Sequence, residues 1–214
     1  MHESGNSGRV GTVVAELDGT VHKLAPVAIP EVEGDALRAW VVREDAHATV
    51  EIGLGYGISA RYICEGLVAT GALRAQHVAI DPHQASRFSD CGLQVLAAAG
   101  LADLVELHRE ESQIALPRLL LEGRQFDLAF VDGDHRFDGV FLDLIHLGRL
   151  VRPGGTVFVD DYQLPSVVHA VSFCLTNLGW ASEEVSRRDD DHNWVVLRTP
   201  RVPVDRAWDH FVEF

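Results

Sequence analysis

The chain has 214 residues, 47% of them hydrophobic, which is enough to bury the core of one α/β domain. Its formal net charge of −14, from 18 lysines and arginines against 32 aspartates and glutamates, excludes broad contact with a phosphate backbone, so no nucleic-acid partner is expected. Cys64, Cys91 and Cys174 form no C-x-x-C pair, no basic-then-apolar leader opens the chain, and no apolar run nears the ~20 residues that span a bilayer; a cytoplasmic protein without a membrane partner is expected.

Residues 1–48 read as an N-terminal hairpin and cap helix within the same domain. Thr12 to Leu17 and Thr20 to Leu24 flank Asp18-Gly19, a two-residue hairpin signal, and Pro26 and Pro30 precede a helix predicted over 34–44. From 49 to 199, β-branched runs alternate with helix-length segments. The pattern predicts strands at 49–54, 77–81, 104–109, 126–132 and 155–160, and helices at 58–70, 84–99, 112–122 and 136–150. Phe137, Val140, Phe141, Leu144 and Ile145 recur at helical spacing, and Arg152-Pro153-Gly154-Gly155 stops that helix. A helix over 166–178 and strands at 181–187 and 193–199 follow, with Asp189-Asp190-Asp191 as a solvated hairpin tip. Such alternation predicts an α/β, Rossmann-like fold: a mostly parallel seven-stranded sheet with helices on both faces. The tail, 200–214, carries Trp208, Phe211 and Phe214 and is expected to pack on the body or on a second subunit.

The densest chemical signal lies between Val50 and Ser59. A strand containing Glu51 runs into Gly53, Gly55 and Gly57 at alternate positions, and Ser59 opens the next helix. Glycines there let the backbone take positive φ and approach a ligand closely, and the helix start offers unpaired N–H groups. A dinucleotide loop would need a small residue where Ile58 stands, which argues against an NAD-dependent oxidoreductase.

Further clusters fall at strand ends and helix starts, where open α/β sheets bind ligands. Asp81 ends the second strand, where a carboxylate can accept bonds from both hydroxyls of a ribose; Ser112-Gln113 follows the third, placed for an adenine edge or for helix capping. Asp132 ends the fourth strand, in Asp132-Gly133-Asp134-His135, and Asp160-Asp161-Tyr162 ends the fifth. On neighbouring strands about 4.8 Å apart, three carboxylates would repel and raise each other's pKa. A hard divalent cation resolves that conflict, and an all-oxygen set suits Mg²⁺. Because side chains alternate along a strand, Asp160 and Asp161 can share an ion only if the strand ends before them.

The E-x-G-x-G-x-G pattern from Glu51 to Gly57 resembles the S-adenosylmethionine loop of class I methyltransferases. Residues 34–199 resemble the metal-dependent class I O-methyltransferases, a grouping that includes catechol O-methyltransferase and antibiotic sugar O-methyltransferases. The resemblance rests on that loop, Ser59, Asp81, Ser112-Gln113 with Pro117 in step, and the Asp-Gly-Asp and Asp-Asp-Tyr motifs of the sugar-modifying relatives. It implies cofactor contacts from Glu51, Gly53, Gly55, Gly57, Ser59, Asp81, Ser112, Gln113 and Asp132, and Mg²⁺ ligands at Asp132, Asp160 and Asp161. The base falls to Asp134, with His135, which stands at the catechol family's lysine, orienting the acceptor. The implied function is Mg²⁺-dependent methylation of a hydroxyl on a small molecule, such as a natural-product sugar or a catechol-like phenol. A metal-independent methyltransferase is the alternative.

Overall fold

The computed structural model describes residues 11–186, 192–202 and 204–214; the expected acidic tip at 189–191 lies outside the described residues. β1 (Thr12–Val14) and β2 (Val21–Lys23) pair antiparallel as the predicted hairpin. Its connection is not a two-residue turn. Ala15 N–H donates to Thr20 O and Gly19 N–H to Ala15 O, so the chain loops through 15–20. Asp18 Oδ1 accepts from Thr20 N–H at 2.9 Å, a local side-chain turn that competes with the tighter hairpin.

Seven strands form the main sheet in the order β5-β4-β3-β6-β7-β9-β8. β3 (Ala48–Ile52), β4 (Gln76–Ile80), β5 (Val105–His108), β6 (Phe126–Val131) and β7 (Val151–Val159) are parallel. β9 (Val195–Arg198) lies antiparallel to β7, and β8 (Ala181–Val185) antiparallel to β9. The chain winds outward from β3 to β5, then returns to lay β6 on the other side of β3. That reversal opens a crevice at the strand C-termini, the usual ligand position in such sheets.

Among the described residues six α-helices cover the sheet: α1 (Glu31–Arg43), α2 (Ile58–Thr70), α3 (Cys91–Ala98), α4 (Ser112–Leu121), α5 (Phe137–Leu150) and α6 (Pro165–Asn177). Alternation along β6 divides the core. Leu128 and Phe130 pack with Leu37 and Val41 of α1 and Ile63 and Leu67 of α2. Ala129 and Val131 face α4, α5 and α6 through Leu116, Leu144 and Val171. α1, predicted as a cap, therefore belongs to a helical layer, and it starts earlier than expected because Pro30 serves as its N-cap.

Two further elements differ from the sequence reading. α3 begins at Cys91 rather than 84, because Asp81 binds His83 N–H at 2.7 Å and Gln84 Nε2 at 2.8 Å, while Ser89 and Asp90 take positive φ. β7 begins at Val151, where a turn was expected. Val151 pairs with Phe126, the register then shifts, and Gly154 at φ 73° absorbs the irregularity. The tail packs on α6: buried Asn177 donates to Val212 O and accepts from its N–H, and Phe214 meets Phe173 edge-on, whereas Trp208 is exposed. Among the described residues no helix is long and apolar enough to cross a membrane.

Asp127 clamps the far end of the sheet. Its Oδ2 accepts from His47 and Ala48 N–H at 2.8 and 3.0 Å, and its Oδ1 from Arg152 Nε at 2.9 Å. Burial would raise its pKa, but those donors outweigh it and hold the carboxyl below the ordinary 3.8. A depressed folded-state pKa gives stability that is complete above the ordinary value and lost as pH falls through the folded one. Asp127→Asn should cost about 1–3 kcal/mol at pH 7, with the gap to wild type shrinking below pH ~3.8. Urea melts at both pH values check this; a gap independent of pH would contradict it.

Candidate active site

The glycine loop between β3 and α2 owes its shape to close backbone contacts. Gly53 has φ 95°, and a Cβ there would lie 2.0 Å from Asp132 O; Gly57 has φ 74°, and a Cβ there would lie 2.6 Å from Gly92 O. Only glycine meets both demands. Gly55 N–H donates to Asp81 Oδ2 at 2.9 Å, and Gln84 Nε2 bridges Gly55 O and that same oxygen at 2.7 and 2.8 Å. Asp81 thus braces the loop with most of its acceptor sites, which leaves less for a ribose than the strand-end position suggested.

Glu51 lies fully buried behind the loop. Ser59 Oγ donates to its Oε2 at 2.9 Å, and His77 Nε2 sits 3.2 Å from its Oε1. Thr49 Oγ1 meets the other nitrogen of His77 at 2.9 Å. The sequence reading gave Glu51 and Ser59 ligand contacts; Ser59 lines the cavity described below, Glu51 does not, and together they join β3 to the start of α2.

On the other side of the crevice, β6 stops at Val131 and β7 at Val159, so Asp132, Asp160 and Asp161 all lie beyond regular strand. Asp161 has φ 53°, which frees it from strand alternation. The condition for two consecutive aspartates to share one centre is met, yet they divide. Asp161 Oδ2 lies 2.9 Å from His135 Nε2, which is also 3.5 Å from Asp132 Oδ1. One ligand atom from each of Asp132, His135 and Asp161 falls within 4.8 Å of the others. Asp160, buried behind them, accepts from Asp161 N–H at 2.6 Å and meets the carboxyl of Glu33 from α1.

The electrostatics follow from that packing. Bonds to Asp132 and then Asp161 push His135 up to about 10, so it is an imidazolium between two acids. Burial raises Asp160, and the charges of Asp132 and Asp161 add to it. Burial likewise raises Glu33, reinforced by Asp160. Asp134 is separate: Arg136 holds it through Nε at 2.9 Å and Nη2 at 2.7 Å and keeps its pKa low.

Both halves face one cavity of about 510 Å³. Asp81, Ser112, Asp132, Asp134, His135, Asp160 and Asp161 line it, and the 26–29 segment forms a wall. Gln113, expected beside Ser112, is exposed and absent from the lining. The sequence reading missed Tyr56, Arg87, Phe88 and His192, which do line it. Arg87 and Phe88 were hidden inside the overlong helix prediction. Glu33 offered no signal at all, since no spacing rule ties residue 33 to residue 160.

Residues 50–162, more than half of the chain, match the family described as a methyltransferase domain. The chain belongs to the methyltransferase domain family. A Mycobacterium sp. (strain JLS) protein named "Putative O-methyltransferase" is 30% identical to this methyltransferase-domain chain over 116 residues, 54% of this chain and 48% of that protein. The chain thus spans about half the length of that relative. Two solved structures share the methyltransferase-domain fold. The O-methyltransferase TomG from Streptomyces achromogenes, involved in tomaymycin synthesis and solved with SAM, has a TM-score of 0.68 at 22% identity, covering 81% of this chain and 82% of its own. The Bacillus cereus O-methyltransferase in complex with SAH has a TM-score of 0.68 at 18% identity, covering 82% and 84%.

Proposed function

We propose that this methyltransferase-domain protein transfers a methyl group from S-adenosylmethionine to a hydroxyl of a small molecule, at a site that also takes a divalent cation. The carrying observation is that the braced glycine loop and the Asp132–His135–Asp161 cluster face one cavity. The O-methyltransferase names of the relatives support the same reaction class. Three free, buried cysteines suit a reducing cytoplasm.

The cluster fits a cation on its own chemistry. Two carboxylates with an imidazolium 2.9 Å from one of them already form a place built for positive charge. Asp132 and Asp161 would hold Mg²⁺ with Asp160 behind. When bound, S-adenosylmethionine supplies the electrophilic methyl group, and the cation supplies positive charge that lowers the pKa of the acceptor hydroxyl. The chain's residues do the rest. Gly53 and Gly55, which line the cavity, admit the cofactor backbone-close, and Gly57 turns the loop into α2; Asp81 fixes that loop and offers the ribose its remaining acceptor site. We assign the base to His135 rather than Asp134. Asp134 is neutralised by Arg136, whereas His135 becomes a near-neutral base once Asp132 and Asp161 are engaged elsewhere.

Calorimetry with S-adenosylhomocysteine tests the cofactor half: Asp81→Ala should weaken binding roughly 10- to 100-fold. Unchanged affinity would remove the assignment. For the cation half, excess chelator should abolish turnover of a hydroxyl acceptor and Mg²⁺ should restore it. Full turnover in chelator would favour the metal-independent reaction.

A further inference from the structure

Glu33 is fully buried on the first turn of α1; no N–H or hydroxyl donor reaches its oxygens, and its carboxyl meets that of Asp160. Helix capping does not explain it. A glutamate three residues after the N-cap ordinarily reaches back to the N-cap N–H, but here the N-cap is Pro30, which has none. The side chain instead meets Asp160, with Asp132 and Asp161 near enough to act on it through their charge. A buried acid from a different layer of the fold thus rests against Asp160, beside the Asp132–His135–Asp161 cluster. Two buried carboxyls in contact fix one another's place, so Glu33 constrains where Asp160 sits.

We propose that Glu33 is a positioning residue of the cation site, setting Asp160 from behind and coupling the seating of the first turn of α1 to occupancy by a divalent cation. The proposal rests on the cation-dependent reading above and deepens it. α1 follows directly on the 26–29 segment that walls the cavity, so a cation that fixes Glu33 also fixes that wall. The reporters are already in place: Glu33 and Gly34 N–H both donate to Pro30 O, at 3.0 and 3.1 Å.

The test titrates MgCl₂ alone into the full chain, read by calorimetry and by amide exchange over α1, for wild type, Glu33→Gln and Glu31→Gln. Glu31 is exposed on the same turn, so Glu31→Gln repeats the acid-to-amide replacement away from Asp160. Wild type and Glu31→Gln should bind Mg²⁺ and slow first-turn exchange on binding. Glu33→Gln should bind Mg²⁺ roughly 10- to 100-fold more weakly, the usual cost of losing an outer-shell partner, and lose the slowing. S-adenosylhomocysteine affinity should be equal in all three. Wild-type Mg²⁺ affinity in Glu33→Gln, or equal losses in both variants, overturns the proposal and leaves the cation reading standing. If wild type itself binds no Mg²⁺, both fall. Should Glu33→Gln fail to fold, wild-type exchange decides alone: α1 amides indifferent to Mg²⁺ overturn the coupling.

Discussion

Gly53→Ala is expected to be among the most damaging single changes in this protein. The new Cβ would sit 2.0 Å from Asp132 O and 2.8 Å from Asp132 C, both backbone atoms at the end of the neighbouring strand. No rotamer relieves such a clash, and φ 95° is itself hostile to an L side chain. β3 and β6 must part where they meet, at a cost of about 3 kcal/mol or more. Gly71→Ala is the control, because Gly71 also has positive φ at a helix end but has open space around it. That change should cost only about 1 kcal/mol. Urea unfolding of both variants, with S-adenosylhomocysteine calorimetry, checks this. Equal losses would mean that the close approach of Gly53 to Asp132 does not matter.

His135→Ala should lower the single-turnover rate about 10²-fold or more, with S-adenosylhomocysteine affinity nearly intact. Asp134→Asn should cost much less, since the carboxylate it removes is already spent on Arg136. Proton resonances of the imidazole add a readout that needs no acceptor. Without a cation His135 is held up to about 10, so it stays charged through neutral pH and releases its proton only above that value. Mg²⁺ should draw Asp132 and Asp161 away and lower the midpoint. A midpoint unmoved by Mg²⁺, or a rate loss confined to Asp134→Asn, would return the base to Asp134.

The readable parts of this chain were those with local physical causes. Period-2 and period-3.6 patterns located the sheet and most helices, and the strand-end positions of Asp81, Asp132 and Asp160 brought them to one crevice. What escaped depended on contacts distant in sequence or on competition within a segment. Residues 84–90 carry a helical pattern, but bonds from Asp81 to His83 and Gln84 pull their start into a turn. Asp160 and Asp161 look equivalent in sequence, yet positive φ at Asp161 sends one to His135 and the other to Glu33. The aspartate at 134 looked available because its Arg136 clamp depends on a side-chain conformation that motif spacing does not reveal.

The buried brace of Ser59, Glu51, His77 and Thr49 also has an entropic meaning. Contributions from β3, β4 and α2 fix the glycine loop before any ligand arrives. A crevice already rigid surrenders little freedom on binding, so more of the contact energy is retained as affinity. Loosening the brace with His77→Ala would let the loop wander in the empty protein, and each binding event would then have to restore its order.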